Sequence, residues 1–160
     1  MKALVSLALS AASMCAMAQA HLPLEPWQLP EAEAMVAASN ALCLPQSQNA
    51  LVAKTMQAQG RQREEVLALL PPSPRALSLR VASAMRENVE DAFEYPEISM
   101  YTYYSFRSEV CFRETLGAVR VPRFSTMRTR IAECQREHGP EKSGLLFKCV
   151  QGVVRDAIPF

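Results

Sequence analysis

The chain has 160 residues, with 17 basic and 16 acidic side chains and a formal net charge of +1. This length is typical of a single domain. A charge so close to neutral argues against nucleic acid as the main partner, because nucleic-acid-binding domains usually carry a clear basic excess.

The first 20 residues have the pattern of a secretory signal peptide. Lys2 precedes an uncharged stretch from 3 to 18, and the small residues Ala18 and Ala20 form a cleavage site. Serines and alanines dilute the stretch, so it is a poor match to a membrane span of about 20 strongly apolar residues. We expect cleavage after Ala20, a periplasmic or secreted location, and one mature domain at 21–160 that does not span the membrane.

The mature chain begins with a proline-rich segment, residues 21–30. Pro23, Pro26 and Pro30 each fix their own φ angle and push the preceding residue out of the helical region. The sequence therefore predicts an extended N-terminal arm.

The rest of the chain reads as helical. A proline suits the first position of a helix, and such starts are predicted at Pro30, Pro74, Pro96 and Pro140. Together with turn signals at Leu44-Pro45 and elsewhere, they divide the chain into helical segments at 31–42, 47–70 with a break near Gly60, 75–94, 97–116, 125–138 and 142–157.

Two of these segments carry a clear apolar stripe of helical period. One runs from Leu77 through Val81 to Phe93, and the other lies in 146–157. Strand patterns are weak throughout. The sequence predicts an all-α fold, a compact bundle of five or six short helices stapled by two disulfides.

Four cysteines follow the leader: Cys43, Cys111, Cys134 and Cys149. In an oxidising compartment an even number favours disulfides, and no C-x-x-C redox or zinc motif is present. Cys134 and Cys149 lie on consecutive segments joined by a short turn, which favours pairing them and leaves Cys43 for Cys111. The rival pairing joins Cys111 to Cys134 and Cys43 to Cys149.

The two histidines are the candidates for metal or thiol chemistry. His21 would become the N-terminus after cleavage, where its amine and imidazole could hold copper, but His138 is the only second histidine. His138 also lies four residues from Cys134, near the end of a predicted helix, where a cation at the helix C-terminus is the simpler interpretation. We expect no metal and no cofactor.

Charge and aromatic residues are unevenly distributed. Residues 87–97 contain five acids and no base, whereas 107–136 contain seven arginines. The functional interpretation is a binding surface of tyrosine, phenylalanine and arginine, while the structural one is core packing and ion pairing within the fold. The candidate interaction residues are Tyr103, Phe106, Arg107, Arg113, Arg120, Arg123, Arg128 and Arg130.

No signature of a hydrolase, metalloprotease, phosphate-binding loop or β-lactamase is present. The sequence therefore predicts a small exported protein with a non-catalytic binding role in the cell envelope, as an accessory, inhibitor or immunity-like protein. Its partner would be another envelope protein or an anionic envelope component. The alternative is a metal-binding or thiol-dependent enzyme that uses His21, His138 or a free cysteine.

Overall fold

The computed structural model describes residues 28–71, 79–117 and 122–158, and within these ranges it contains helices and no strand. The helices are α1 (Gln28–Ala58), α2 (Arg63–Ala68), α3 (Leu79–Glu94), α4 (Met100–Thr115), α5 (Phe124–His138) and α6 (Gly144–Ala157). The predicted all-α bundle with two disulfides is confirmed. The prediction that all its helices are short is wrong for α1, which has 31 residues.

The long helix α1 includes Pro45, at which the sequence predicts a turn. Proline removes one backbone hydrogen bond from a helix interior, and its ring crowds the preceding turn. Two contacts tie this turn to other helices: the disulfide between Cys43 and Cys111, and the backbone oxygen of Gln46, which accepts the side-chain amide of Asn88 at 2.8 Å. Tertiary contacts thus override a local helix-breaking signal.

The start of α1 also limits the predicted arm. Because the helix begins at Gln28, the last three residues of 21–30 are helical. Residues 21–27 lie outside the described part of the chain, as does the signal peptide predicted at 1–20.

Serines, rather than prolines, begin two of the helices. The hydroxyl oxygens of Ser99 and Ser143 accept the backbone N–H groups of Thr102 and Leu146, at 3.2 and 3.1 Å. A serine at this position supplies an acceptor for a donor that has no partner within the helix. The predicted starts after Pro96 and Pro140 are therefore a few residues early, and both prolines lie in connecting turns.

Helix α4 is the centre of the bundle. It packs against α1 on one side and α6 on the other, while α1 also packs against α3, and α5 against α6. Helices α1 and α4 are antiparallel, since Ser39 meets Thr115 at 2.8 Å and Ser47 meets Ser108 at 3.1 Å. Nine of the 16 residues of α4 are buried, so this helix has no fully solvent-facing side.

The main core lies between α4, α5 and α6. The ring of Phe124, the first residue of α5, lies 4.9 Å from Phe106, 5.1 Å from Tyr103 and 5.3 Å from Tyr95. Aliphatic side chains of α5 and α6, including Ile131 and Val150, complete this core. A second, smaller core of Ala53, Val66, Val89 and Ala92 joins α1, α2 and α3.

Candidate functional site

Two of the predicted interaction residues are core residues. Tyr103 and Phe106 are each only 1% exposed and contact Phe124 in the aromatic cluster. They cannot form an exposed aromatic surface, which corrects the binding interpretation for this pair. The reason is that both side chains lie on the part of α4 that faces the core, whereas Phe112 of the same helix is 47% exposed.

Arg107 and Arg113 are buried as well, at 5% and 7% exposure. Arg113 donates from Nε to Glu109 Oε1 at 2.9 Å, and the other carboxylate oxygen of Glu109 accepts Gln151 Nε2 at 3.0 Å. Arg113 is therefore part of the packing between α4 and α6. It does not belong to a surface patch.

The remaining arginines divide differently. Arg120 lies outside the described residues, whereas Arg123, directly before α5, and Arg128 and Arg130, on α5, are exposed. Arg128 stacks over the ring of Tyr95 at 5.2 Å and lies 3.9 Å from a carboxylate oxygen of Glu97. Arg130 forms a 2.8 Å ion pair with Asp156 of α6.

Acidic and basic segments face each other in the fold, as the structural interpretation of the charge pattern predicts. Arg107 of α4 lies 3.9 Å from Glu87 of α3, and Arg80 of α3 lies 3.2 Å from Glu114 of α4. The first pair joins the acidic stretch 87–97 to the arginine-rich stretch 107–136, and the second joins an arginine of α3 to an acid of α4 across the same gap.

A buried polar network occupies the floor of this gap. The hydroxyl of Tyr103 donates to Asp91 Oδ2 at 2.7 Å and lies 3.3 Å from Asn88 Oδ1. The side-chain amide of Asn88 donates to Gln46 O at 2.8 Å, and Gln46 Oε1 accepts Arg107 Nη2 at 3.2 Å. The chain of hydrogen bonds connects α1, α3 and α4.

Burial raises the pKa values of two groups in this network. It raises the pKa of the Asp91 carboxyl, an effect partly opposed by the hydrogen bond from Tyr103. It also raises the pKa of the Tyr103 phenol well above its usual range, and the neighbouring Asp91 charge adds to the rise. Tyr103 consequently remains a neutral donor at physiological pH.

Above the network lies an open groove of about 770 Å³ between α3, α4 and the start of α5. We call it the α3–α4 recess. Its lining includes Glu87, Asp91 and Glu94 from α3, Arg107 and Glu114 from α4, and Arg123 at the start of α5. The α3 wall is mainly acidic, with Arg80 at one end, and further basic groups come from α4 and the start of α5, so the recess presents both signs of charge to a ligand.

Arg107 is the most unusual residue of the recess. Its side chain is 6% exposed, and its Nε is the one buried side-chain nitrogen or oxygen in the described ranges that has no hydrogen-bond partner. Most buried polar atoms in proteins are hydrogen-bonded. Because Nε has almost no accessible surface, a ligand oxygen would meet the guanidinium at Nη1, which lies 3.9 Å from Glu87 and is not hydrogen-bonded to it.

The acids of the recess belong to the acidic stretch 87–97, but the buried polar network beneath them was not predicted from the sequence. Gln46, Asn88 and Asp91 are ordinary polar helix residues by type. One usable signal was Asn88, which directly precedes Val89 on the apolar stripe of α3 and is fully buried. A polar residue beside the buried stripe of an amphipathic helix indicates a hydrogen-bonded partner in the core.

The cysteines form the favoured pairs. Cys43 is bonded to Cys111 and Cys134 to Cys149, with Cα–Cα distances of 5.5 and 5.7 Å. The rival pairing is therefore wrong. All four are oxidised, so none of these cysteines is a free thiol in this structure.

Of the two histidines, His138 lies in the described part of the chain. His138 ends α5, with Nε2 3.7 Å from Glu137 Oε1, and His21 lies outside the described residues. Among the residues that are described, no three histidine, cysteine or acidic side chains form a group suited to a metal ion.

The helices of residues 28–71, 79–117 and 122–158 include none that is both long and apolar enough to cross a bilayer. Comparison of the chain with protein-family models, with curated proteins and with solved structures finds no match.

Proposed function

We propose that the protein is exported to the cell envelope and acts there by non-catalytic binding of another protein at the α3–α4 recess. Two disulfides join α1 to α4 and α5 to α6, and such bonds persist in oxidising compartments. The apolar leader predicted at 1–20 supports the same destination.

The observation that carries the binding role is Arg107. Its guanidinium is held at the floor of the recess by Gln46 and keeps one donor, Nε, without an acceptor in the described structure. Nη1 of the same guanidinium lies 3.9 Å from Glu87, too far for a hydrogen bond. An acceptor bound in the recess would gain a charge-assisted hydrogen bond at this nitrogen.

The charge distribution favours a protein over a purely anionic envelope component. The α3 wall of the recess carries the carboxylates of Glu87, Glu90 and Glu94, which would repel a densely anionic surface such as a lipid headgroup layer. A protein segment can present a cation to this wall and an acceptor to Arg107.

Site-specific photocrosslinking in intact cells tests this function. A photoreactive amino acid at Ser125, which is exposed and lines the recess, is expected to capture a defined partner. The matched control carries the same group at Lys148, an exposed residue of α6 that does not line the recess. Equal capture from both positions, or no capture from Ser125, would contradict the proposed binding role.

Export is tested on the protein isolated from the same cells. We expect the mature protein to begin at His21 and to contain no thiol that reacts before reduction, as measured by intact mass and thiol titration. An uncleaved chain with five free thiols, Cys15 of the leader included, would contradict the exported location.

A further inference from the structure

The α3–α4 recess exists because α3 and α4 are held apart. Both helices pack against α1 more closely than they approach each other, and long polar side chains bridge the gap. Arg80 reaches Glu114 at 3.2 Å near one end, and Tyr103 reaches Asp91 at 2.7 Å near the other. The resulting groove of about 770 Å³ is within the size range of small-ligand sites.

On the α4 side, the recess offers a cation with spare hydrogen-bonding capacity. A guanidinium has five N–H donors. Arg107 uses Nη2 for Gln46 at 3.2 Å, whereas Nη1 lies 3.9 Å from Glu87, too far for a hydrogen bond, and Nε has no partner in the described ranges. A planar carboxylate is the group that fits such donors best.

The start of α5 adds to the attraction for a negative group. The first N–H groups of a helix lack acceptors within the helix and carry a partial positive charge. Arg123 occupies the position before the helix and makes no side-chain hydrogen bond to its backbone, and the first turn contains no acid. Pro122 to Ser125 line the recess, so this positive helix end faces the same space as Arg107.

The opposite wall, formed by α3, carries carboxylates that attract a positive group. Glu87 and Glu90 of α3 retain 62% and 43% exposure of their side chains although they contact arginines. Glu94 lies further along the same wall. A ligand with a negative charge alone would be attracted to one wall and repelled by the other, whereas a ligand with both charges would be attracted by both.

We propose that the α3–α4 recess binds a short zwitterionic peptide segment, with a carboxylate at Arg107 and the start of α5 and an ammonium group at the acidic wall of α3. This inference rests on the proposed binding function and specifies the chemistry of the group that the partner presents.

Titration with four matched peptides tests the proposal on the full mature protein. The probes are triglycine, N-acetyl-triglycine, triglycine amide and the doubly capped peptide, which differ only in their terminal charges. Triglycine is expected to shift the NMR signal of the Arg107 Nε–H group, and to bind about fivefold more tightly than either singly capped peptide, corresponding to about 1 kcal/mol for each charged contact. Equal affinity for all four peptides, or an Arg107 signal that does not move, would overturn the proposal.

Variants separate the site from general charge effects. Arg123→Gln is expected to weaken triglycine binding about threefold, the effect of losing one exposed charge contact. Arg130→Gln, on the same helix but paired with Asp156 outside the recess, is expected to leave binding unchanged. Because Arg123 is exposed, its replacement does not threaten folding, and equal effects of the two variants would refute the assigned site.

The outcome is separable from that of the proposed function. A partner crosslinked at Ser125 together with no binding of triglycine would refute the zwitterionic ligand and leave the protein-binding role standing. Binding of triglycine without a crosslinked partner at Ser125 would support the zwitterionic ligand and contradict the protein-binding role.

Discussion

Helices α4 and α5 both carry arginines, but they place them in opposite environments. The arginines of α4, Arg107 and Arg113, are more than nine-tenths buried, whereas Arg128 and Arg130 of α5 have about half of their side chains exposed. Helix α4 packs against α1 and α6 and lies across the recess from α3, while α5 packs mainly against α6 at the edge of the bundle. The environment of a charge is set by the neighbours of its helix.

The difference in burial determines how much free energy is lost when an arginine loses its partner. A buried arginine has lost its hydration and depends on fixed acceptors, so removal of one acceptor leaves a charge in a medium of low polarity. An exposed arginine replaces a lost partner with water, at almost no cost. The buried arginines of α4 are therefore sensitive to loss of a single partner, whereas those of α5 tolerate it.

The largest expected effect comes from the disulfide that holds α4 in its central position. Replacing Cys43 and Cys111 with alanine opens a bond between residues 68 apart, whereas replacing Cys134 and Cys149 opens one between residues 15 apart. From loop-closure entropy we expect losses of about 4 to 5 and about 3 kcal/mol in the free energy of unfolding. Urea denaturation of both double variants measures the difference, and a larger loss for the α5–α6 bond would contradict it.

The buried ion pair of α4 comes next. Glu109→Ala leaves the Arg113 guanidinium buried without its 2.9 Å carboxylate partner, and we expect a loss of about 3 to 5 kcal/mol in the free energy of unfolding. The control is Glu133→Ala on α5, whose partner Arg136 is 76% exposed. Similar losses in the two variants, measured by urea denaturation, would show that the α4 pair is not energetically distinct.

Much of the fold was predictable because it follows from local patterns. The apolar stripe of Val81 and Phe93 marks α3, and the short connection after His138 brings Cys134 and Cys149 together. Both features depend only on residues close in sequence. Pro45 shows the limit: whether a helix continues through a proline depends on the contacts that α3 and α4 make with α1, which lie far away in the chain.

The candidate site was less predictable for the same reason. Apolar and polar residues are distributed all around α4, so its sequence shows no single apolar face from which the burial of Arg107 could be predicted. The charge pattern indicated that acids of 87–97 and arginines of 107–136 would meet. It could not indicate that the two helices would be held apart, or that Arg107 Nε would lack an acceptor.

A third buried cation, Lys54 on α1, allows the cost of burial to be measured from the pH dependence of the free energy of unfolding. Its ammonium group donates to Tyr95 O at 2.9 Å and to Ala92 O at 3.4 Å near the end of α3. Burial lowers its pKa from 10.5 to about 8, although the nearby Glu97 opposes the change. Between these two pH values the unfolded chain binds more protons than the folded protein, so the free energy of unfolding rises with pH, by up to about 3 kcal/mol.

The rise should reverse at higher pH. The hydrogen bond to Glu94 raises the pKa of Tyr95, and burial raises that of Tyr103. Above about pH 10 these phenols ionise first in the unfolded chain, so the folded protein holds more protons and its stability falls. Urea denaturation at intervals from pH 7 to 11 measures the profile. Lys54→Met should remove the rise and keep the fall, and an unchanged rise in this variant would exclude Lys54 as its source.

The smallest expected effect is at the exposed pair of α5 and α6. Arg130 and Asp156 lie 2.8 Å apart, but their side chains are 54% and 64% exposed, so water and salt screen the attraction and hydrate either partner left alone. Arg130→Ala, Asp156→Ala and the double variant should form a mutant cycle with a coupling below about 0.5 kcal/mol at physiological salt. The distance of this pair is as short as that of Glu109 and Arg113, so a coupling above about 2 kcal/mol would mean that distance, and not burial, determines the strength of ion pairs in this bundle.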